Sequence, residues 1–296
     1  MYVRMCVCVC ISVYVCACVV VSVCVCMCAC VSDKNALKHN LNPPNHTHPP
    51  TYTSHKDRRK LTSCPILEGE ERLRLLNYQN NYITKVENLD NLPNLIFLDL
   101  YNNQLRYIQS LTHVTTLRVL MLGKNQLEKI EGLETLTRLD VLDLHSNQIT
   151  TVEHLNHMPE LRVLNLAGNQ IVNVDNLEGL VSLTELNLRR NQIQNVRSLD
   201  TLPNLQRVFV SNNLLSSFES LSCIFMTKHL LELALDGNPV AQEAGYRQVV
   251  LDNLKGLRHL DLKRVTEEER RLASVQVCVC VCVCVCVCVC VCVCHF

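Results

Sequence analysis

Residues 95–149 read LIFLDLYNNQLRYIQSLTHVTTLRVLMLGKNQLEKIEGLETLTRLDVLDLHSNQI. One phrase occurs in them three times: L-x-x-L-x-L-x-x-N, with Leu or Ile two residues further on. Leu95, Leu98, Leu100 and Asn103 are followed 22 residues later by Leu117, Leu120, Leu122 and Asn125, and then by Leu139, Leu142, Leu144 and Asn147. Outward from this stretch the asparagine recurs at Asn81, Asn103, Asn125, Asn147, Asn169, Asn191 and Asn213 in steps of 22. Asn238 follows after 25, so that step holds a three-residue insertion. The second half of each unit keeps the same frame, as in Ile108, Leu111, Val114 and then Ile130, Leu133, Leu136.

A fixed period of this length is the mark of a tandem array. The L-x-L centre of each unit is a short strand whose alternate side chains point to one side. One unit cannot bury its apolar side alone, but stacked neighbours bury it for each other. Each inward Leu is then worth about 1.5–3 kcal/mol. The asparagine sits where the chain leaves the strand and bends. Its short amide both donates and accepts, so it can satisfy backbone groups that would each cost about 1–3 kcal/mol if buried unpaired. In a 22-residue unit the convex half has room for turns or 3-10 helix and little more. After Asn238 a helix-like stretch at 242–254 and a half repeat at Leu257–Leu262 read as a terminal cap. A short helix with Thr266 as N-cap follows, with acids in its first turn. The N-terminal edge shows no complete cap before Leu73, which suggests that sequence is missing there.

The ends of the chain differ from its middle. Of 20 cysteines, nine lie between Cys6 and Cys30, nine between Cys278 and Cys294, and only Cys64 and Cys223 elsewhere. The Val-Cys alternation is what a GT dinucleotide repeat encodes in any forward frame, and His46-Thr47-His48 suits the complementary strand. Both tails therefore read as translated repeat DNA. The apolar run from Met5 to Val31 is long enough to span a bilayer. Its period of two is nevertheless a strand pattern, which argues against a membrane helix. The division of the chain is thus a low-complexity lead at 1–64, eight repeats at 65–240, a cap at 241–275 and a Val-Cys tail at 276–296. With 28 Lys+Arg against 28 Asp+Glu, no net charge draws the chain to nucleic acid.

The eight phased copies resemble the leucine-rich repeat family, which implies an α/β leucine-rich repeat solenoid. Short parallel strands would line its concave face, turns or 3-10 helix its convex face, and a helical cap its C-terminal end. The 22-residue unit with the cap NPVAQEAGYRQVVLDNLKGLRHLDLKRVTEEERR resembles the class typified by the nuclear regulatory subunit of protein phosphatase 1. Within it, CPILEGEERLRLLNYQNNYIT, LRVLMLGKNQ, LDVLDLHSNQIT and LKRVTEEERRLASV are similar to the leucine-rich repeat subunit of the tubulin polyglutamylase complex. That resemblance covers about Cys64 to Val275. The family continues past the cap into a long C-terminal region, where a Val-Cys tract stands here. The implied role is a non-enzymatic scaffold, cytoplasmic and microtubule-associated, whose partners are polyglutamylase subunits or tubulin. The alternative it implies is a regulatory subunit that holds a phosphatase catalytic subunit on the concave face.

Strand residues that do not point into the array face the concave side, and these are the candidate partner contacts: Phe97, Asp99, Tyr101, Met121, Asp143, His145, Arg189, Arg207 and Phe209. Phe97, Tyr101, Met121 and Phe209 are expected to be exposed there as interface anchors. The bland reading of those four is that a few apolar groups on a strand face are ordinary. Glu185, Arg189, Arg190 and Arg207 are expected to form a solvated charge patch, the alternative being that Arg189 and Arg190 meet an acidic partner such as a tubulin tail. No residue set points to catalysis, a cofactor or a metal. His145 is expected on the concave side and His154 and His157 on the convex side, an unsuitable set for one ion. The chain has no phosphate-binding glycine loop, no nucleophile elbow and no H-E-x-x-H. A membrane-anchored receptor ectodomain is a further reading. The repeats carry neither disulfide caps nor sequons, the only N-x-[ST] being Asn45-His46-Thr47 in the lead.

Overall fold

The computed structural model describes residues 52–273 and the backbone of two short strands, β1 (Ile11–Val15) and β2 (Val19–Val23). These two pair antiparallel with Val13 opposite Val21. The Val-Cys tail at 276–296 and most of the lead at 1–64 lie outside the described residues.

From Tyr52 onward the chain forms one coil after another, each giving a strand of two or three residues to a single eleven-stranded sheet. The sheet runs β3 (Thr53–His55), β4 (Leu75–Asn77), β5 (Phe97–Asp99), β6 (Val119–Met121), β7 (Val141–Asp143) and β8 (Val163–Asn165). After β9 (Asn173–Val174), which lies outside it, the sheet continues with β10 (Glu185–Asn187). Next comes β11 (Asn195–Val196), which pairs with β9 in a sheet of their own. β12 (Arg207–Phe209), β13 (Glu232–Ala234), β14 (His259–Leu260) and β15 (Lys263–Arg264) complete the main sheet. All neighbours are parallel except the last pair, where β15 turns back on β14. Strand β3 lies within the lead of the sequence reading. Its Ser54 is in register with Leu76, so a coil precedes the first recognisable repeat.

The inward residues form one continuous core. Leu98, Leu120, Leu142, Leu164 and Leu186 have no solvent exposure, nor do Leu100, Leu122, Leu144, Leu166 and Leu188 two residues on. The convex half closes by i→i−3 turns at the same place in each coil. Leu92 N–H donates to the Leu89 carbonyl, Val114 to Leu111, Leu136 to Leu133 and Met158 to Leu155. A full α-helix does not fit in that length. Where the three-residue insertion falls, the extra chain winds into a 3-10 turn at Glu219–Leu221 and a single helical turn, α1 (Ser222–Phe225).

Each strand stops the same way. The residue before the asparagine takes a left-handed conformation in every coil: Asn80, Asn102, Lys124, Ser146, Gly168, Arg190, Asn212 and Gly237 all have φ between 52° and 73°. The asparagine then turns inward and ties two coils together. Asn147 Oδ1 accepts the Leu127 N–H of the preceding coil at 3.0 Å, and its Nδ2 donates to the Leu144 and Leu122 carbonyls at 2.8 and 3.1 Å. Asn103, Asn125, Asn169, Asn191, Asn213 and Asn238 repeat this pattern. Asn81 begins it, accepting from Arg59 and Leu61. Because the Leu122 carbonyl also accepts from Asn125 Nδ2 at 2.9 Å, the amides and carbonyls form an unbroken ladder.

The C-terminal end is closed by helix α2 (Tyr246–Asn253) and a last helix at 267–273. Tyr246, Val250 and Leu251 of α2 are buried against the last coil. Asp261 Oδ1 accepts the Leu235 and Asp236 N–H groups at the sheet edge, and Tyr246 Oη donates to Asp261 Oδ2 at 3.1 Å. Thr266 and Glu269 form a reciprocal capping box: Glu269 N–H donates to Thr266 Oγ1, and Thr266 N–H to Glu269 Oε2. Arg247 of α2 binds the same Glu269 through Nε and Nη2. The arginine holds the Glu269 carboxyl down at about 2.

Candidate functional site

The sheet face is the one large surface on which every coil presents side chains in register. Its central column runs His55, Asn77, Asp99, Met121, Asp143, Asn165, Asn187, Phe209 and Ala234. The column beside it runs Leu75, Phe97, Val119, Val141, Val163, Glu185 and Arg207. Strands about 4.8 Å apart bring neighbouring side chains into contact along each column, and this corrects the expectation of exposed anchors. Phe97 and Met121 are only 6% and 7% exposed, and Phe209 is fully buried. Phe97 packs in register between Leu75 and Val119, and Phe209 lies under the Arg189 guanidinium, 4.4 Å from the ring centroid. Tyr101 alone of the four aromatic or thioether candidates is half-buried.

The expected solvated charge patch is likewise not one. Glu185 has a side chain only 4% exposed and accepts from Arg207 Nε at 2.8 Å. Arg189 is occupied over Phe209, and Arg190 is exposed in the left-handed turn.

Asp99 and Asp143 have a structural duty that the sequence reading missed. Asp99 Oδ1 accepts the Tyr101 N–H at 2.9 Å, and Asp143 Oδ1 accepts the His145 N–H at 3.0 Å. Asn77, Asn165 and Asn187 make the same bond to the residue two further on. Each is an Asx turn that ends its strand. The signal was there in the phase shared by these Asp and Asn residues.

The middle of the face is built around a missing side chain. Gly123 lies between Tyr101 and His145, and a Cβ on it would come 2.5 Å from the His145 ring. The imidazole therefore lies over Gly123, with its centroid 5.6 Å from that of Tyr101. His145 Nδ1 donates to Asp143 Oδ1 at 2.7 Å, and Lys124 Nζ stands 5.3 Å from the Tyr101 ring centre. Asp99 beside them is pushed up to about 6, chiefly by burial and further by the charges of Asp143 and Asp57, against the opposing hydrogen bond from Tyr101. The other side-chain oxygen of Asp143, Oδ2, has no partner among the described residues.

Elsewhere the chemistry is quiet. Burial pushes the Cys64 thiol up to about 11, which keeps it protonated and inert. His157 Nε2 faces the Leu133 carbonyl at 3.0 Å and His154 Nε2 faces Glu153, so neither joins His145. Among the described residues no three metal-ligating side chains converge, and no helix is long and apolar enough to cross a membrane.

With the stacked coils and asparagine ladder in view, the comparisons with known proteins agree. Models described as leucine-rich repeat match residues 187–277, 115–157 and 159–201. The chain belongs to the leucine-rich repeat family. It is 72% identical over 213 residues to human leucine-rich repeat-containing protein 49, and 77% identical over 212 residues to the mouse protein of that name. Each match covers 72% of this chain, which spans about a third of those relatives' length, 31% in each case. Among solved structures, the internalin InlF of Listeria monocytogenes is similar with a TM-score of 0.61 and 26% identity, over 72% of this chain and 62% of that one. Internalin C2 of the same bacterium gives 0.53 and 30%, over 62% and 78%. The family and the solenoid point to a protein-interaction module.

Proposed function

We propose that this chain is a non-catalytic scaffold of a tubulin polyglutamylase complex, cytoplasmic and microtubule-associated, which holds a partner subunit on its sheet face. The observation that carries the scaffold reading is the uninterrupted strand order from β3 to β14, which presents one continuous surface across the coils. The similarity to leucine-rich repeat-containing protein 49 supports the choice of complex. Tyr101, Asp99, Asp143 and His145 are the residues proposed to meet the partner. The glutamate-adding chemistry belongs to another subunit. Affinity purification of the tagged chain, co-expressed separately with polyglutamylase subunits and with a protein phosphatase 1 catalytic subunit, tests this. Recovery of the polyglutamylase subunits alone is expected. Recovery of the phosphatase alone would replace the assignment with the regulatory one.

A further inference from the structure

The centre of the sheet face has an unbalanced charge. Its three exposed-side columns, from Thr53 through Ala167, carry the carboxylates of Asp57, Asp99 and Asp143 and not one Lys or Arg. The first arginine in those columns is Arg189. Of the cations flanking the face, Arg118 pairs with Glu160, Arg162 with Asp140 and Arg58 with Asp57, while Lys124 Nζ stands over the Tyr101 ring, so the two carboxylates at issue are Asp99 and Asp143. Asp143 is the second observation. Its side chain is 4% exposed and its Oδ2 accepts nothing among the described residues. An unmet acceptor of this kind costs more than a made bond returns, and charge raises the cost.

We propose that this face binds an arginine side chain from a basic segment of a partner protein, with the guanidinium over Met121 between Asp99 and Asp143. The proposal rests on the scaffold reading above and names the chemistry of what docks there. Asp99 and Asp143 lie two strands apart with Met121 between them in register, a separation of about 9–10 Å from the strand spacing. A planar guanidinium with five donors can reach a carboxylate on either side, whereas an ammonium is a compact point charge that serves one. Oδ2 of Asp143 is closed to solvent, so docking of the cation requires Met121, in register beside it, to change rotamer. An unbranched thioether does this readily. Burial chiefly, and then the like charges of Asp143 and Asp57, raise the pKa of Asp99, and a cation seated beside it would bring it down. An acidic segment such as a glutamate-rich tubulin tail would add like charge to it, and is excluded from this position.

The test is fluorescence anisotropy on the full chain with four labelled peptides, identical but for a central Arg, Lys, Gln or Glu. The Arg peptide should bind at least tenfold more tightly than the Gln peptide, the Lys peptide should fall between them, and the Glu peptide should not bind. Asp143→Asn and Asp99→Asn keep the Asx-turn oxygen, so they fold, and each should reduce Arg-peptide affinity at least tenfold while leaving the Gln peptide unchanged. Equal binding of Arg and Gln peptides, tight binding of the Glu peptide, or indifference to Asp143→Asn overturns the proposal. Ala167→Arg, which blocks the same face, separates the two readings in the co-purification assay. Lost co-purification without any arginine preference leaves the scaffold standing and removes the cation site. Retained co-purification removes the docking face itself.

Discussion

Replacing Asn147 by Ala tests the ladder at its middle. The substitution removes one acceptor and one amide from a site that is 8% exposed. The carbonyls reached by Nδ2 each keep a second donor: Leu122 keeps Asn125, Leu144 keeps Asn169, and His145, the more distant at 3.3 Å, keeps the Lys124 N–H. The Leu127 N–H does not, since Asn147 Oδ1 is its partner at 3.0 Å. One orphaned buried donor costs about 1–3 kcal/mol, and each lost but replaceable bond about 0.5–1 kcal/mol. The sum is about 2–5 kcal/mol. Denaturant titration should show this loss. Because coils interact with their nearest neighbours, hydrogen exchange should localise it, with Leu127 losing protection first and Leu215, four coils on, much less. A loss below about 1 kcal/mol, or an unchanged Leu127 amide, would refute the reasoning that these amides hold the coils together.

Four other expectations follow from the same geometry. Arg190 has φ 55° and an exposed side chain, so Arg190→Gly should stabilise by about 0.5–1 kcal/mol, the left-handed strain relieved less the added chain entropy; a destabilised variant in thermal melts would count against it. Asp99 titrates near 6 when folded against an ordinary 3.8, so the folded state holds the extra proton between those values and stability falls as pH rises from about 4 to 6. Asp99→Asn should flatten that window and gain up to about 3 kcal/mol at pH 7, as read by denaturation at several pH values. Gly123→Ala should displace the His145 ring from Asp143 at a cost of about 1–2 kcal/mol, visible by NMR as a shift of the Tyr101 ring signals; unmoved signals would contradict the contact. Glu269 has its carboxyl held near 2, so its ion pair with Arg247 stabilises the cap above pH 4.5 and is lost as pH falls through about 2. Glu269→Gln should therefore weaken the cap by about 1 kcal/mol at pH 7, after solvent screening, and by progressively less as pH falls through about 2.

Much of the fold could be read in the sequence because its period is carried by residues that have no alternative place. Leu98 and its equivalents can only point inward, and Asn103 and its equivalents can only fill the turn. The left-handed residue before each asparagine is signalled by Asn80, Asn102, Gly168, Asn212 and Gly237, which favour that region, but not by Lys124, Ser146 and Arg190, which are held there by the coils on either side. Strand β3 was hidden for a similar reason. Its coil carries Ser54 where the next has Leu76, so no leucine marks it, and pairing with β4 alone defines it. The sheet face was the hardest part. Alternation tells which side Phe97, Met121 and Phe209 take, but their burial depends on neighbours 22 residues away in sequence and one strand away in space. The Gly123 gap filled by His145 is a contact of the same kind.

A cryo-EM map of the chain purified with assembled polyglutamylase subunits would bear most directly on the scaffold reading. Density from a partner subunit lying across β5, β6 and β7, in contact with Asp99, Tyr101 and His145, is the result expected. A map in which this face is bare and every partner contact falls on the convex turns would contradict it.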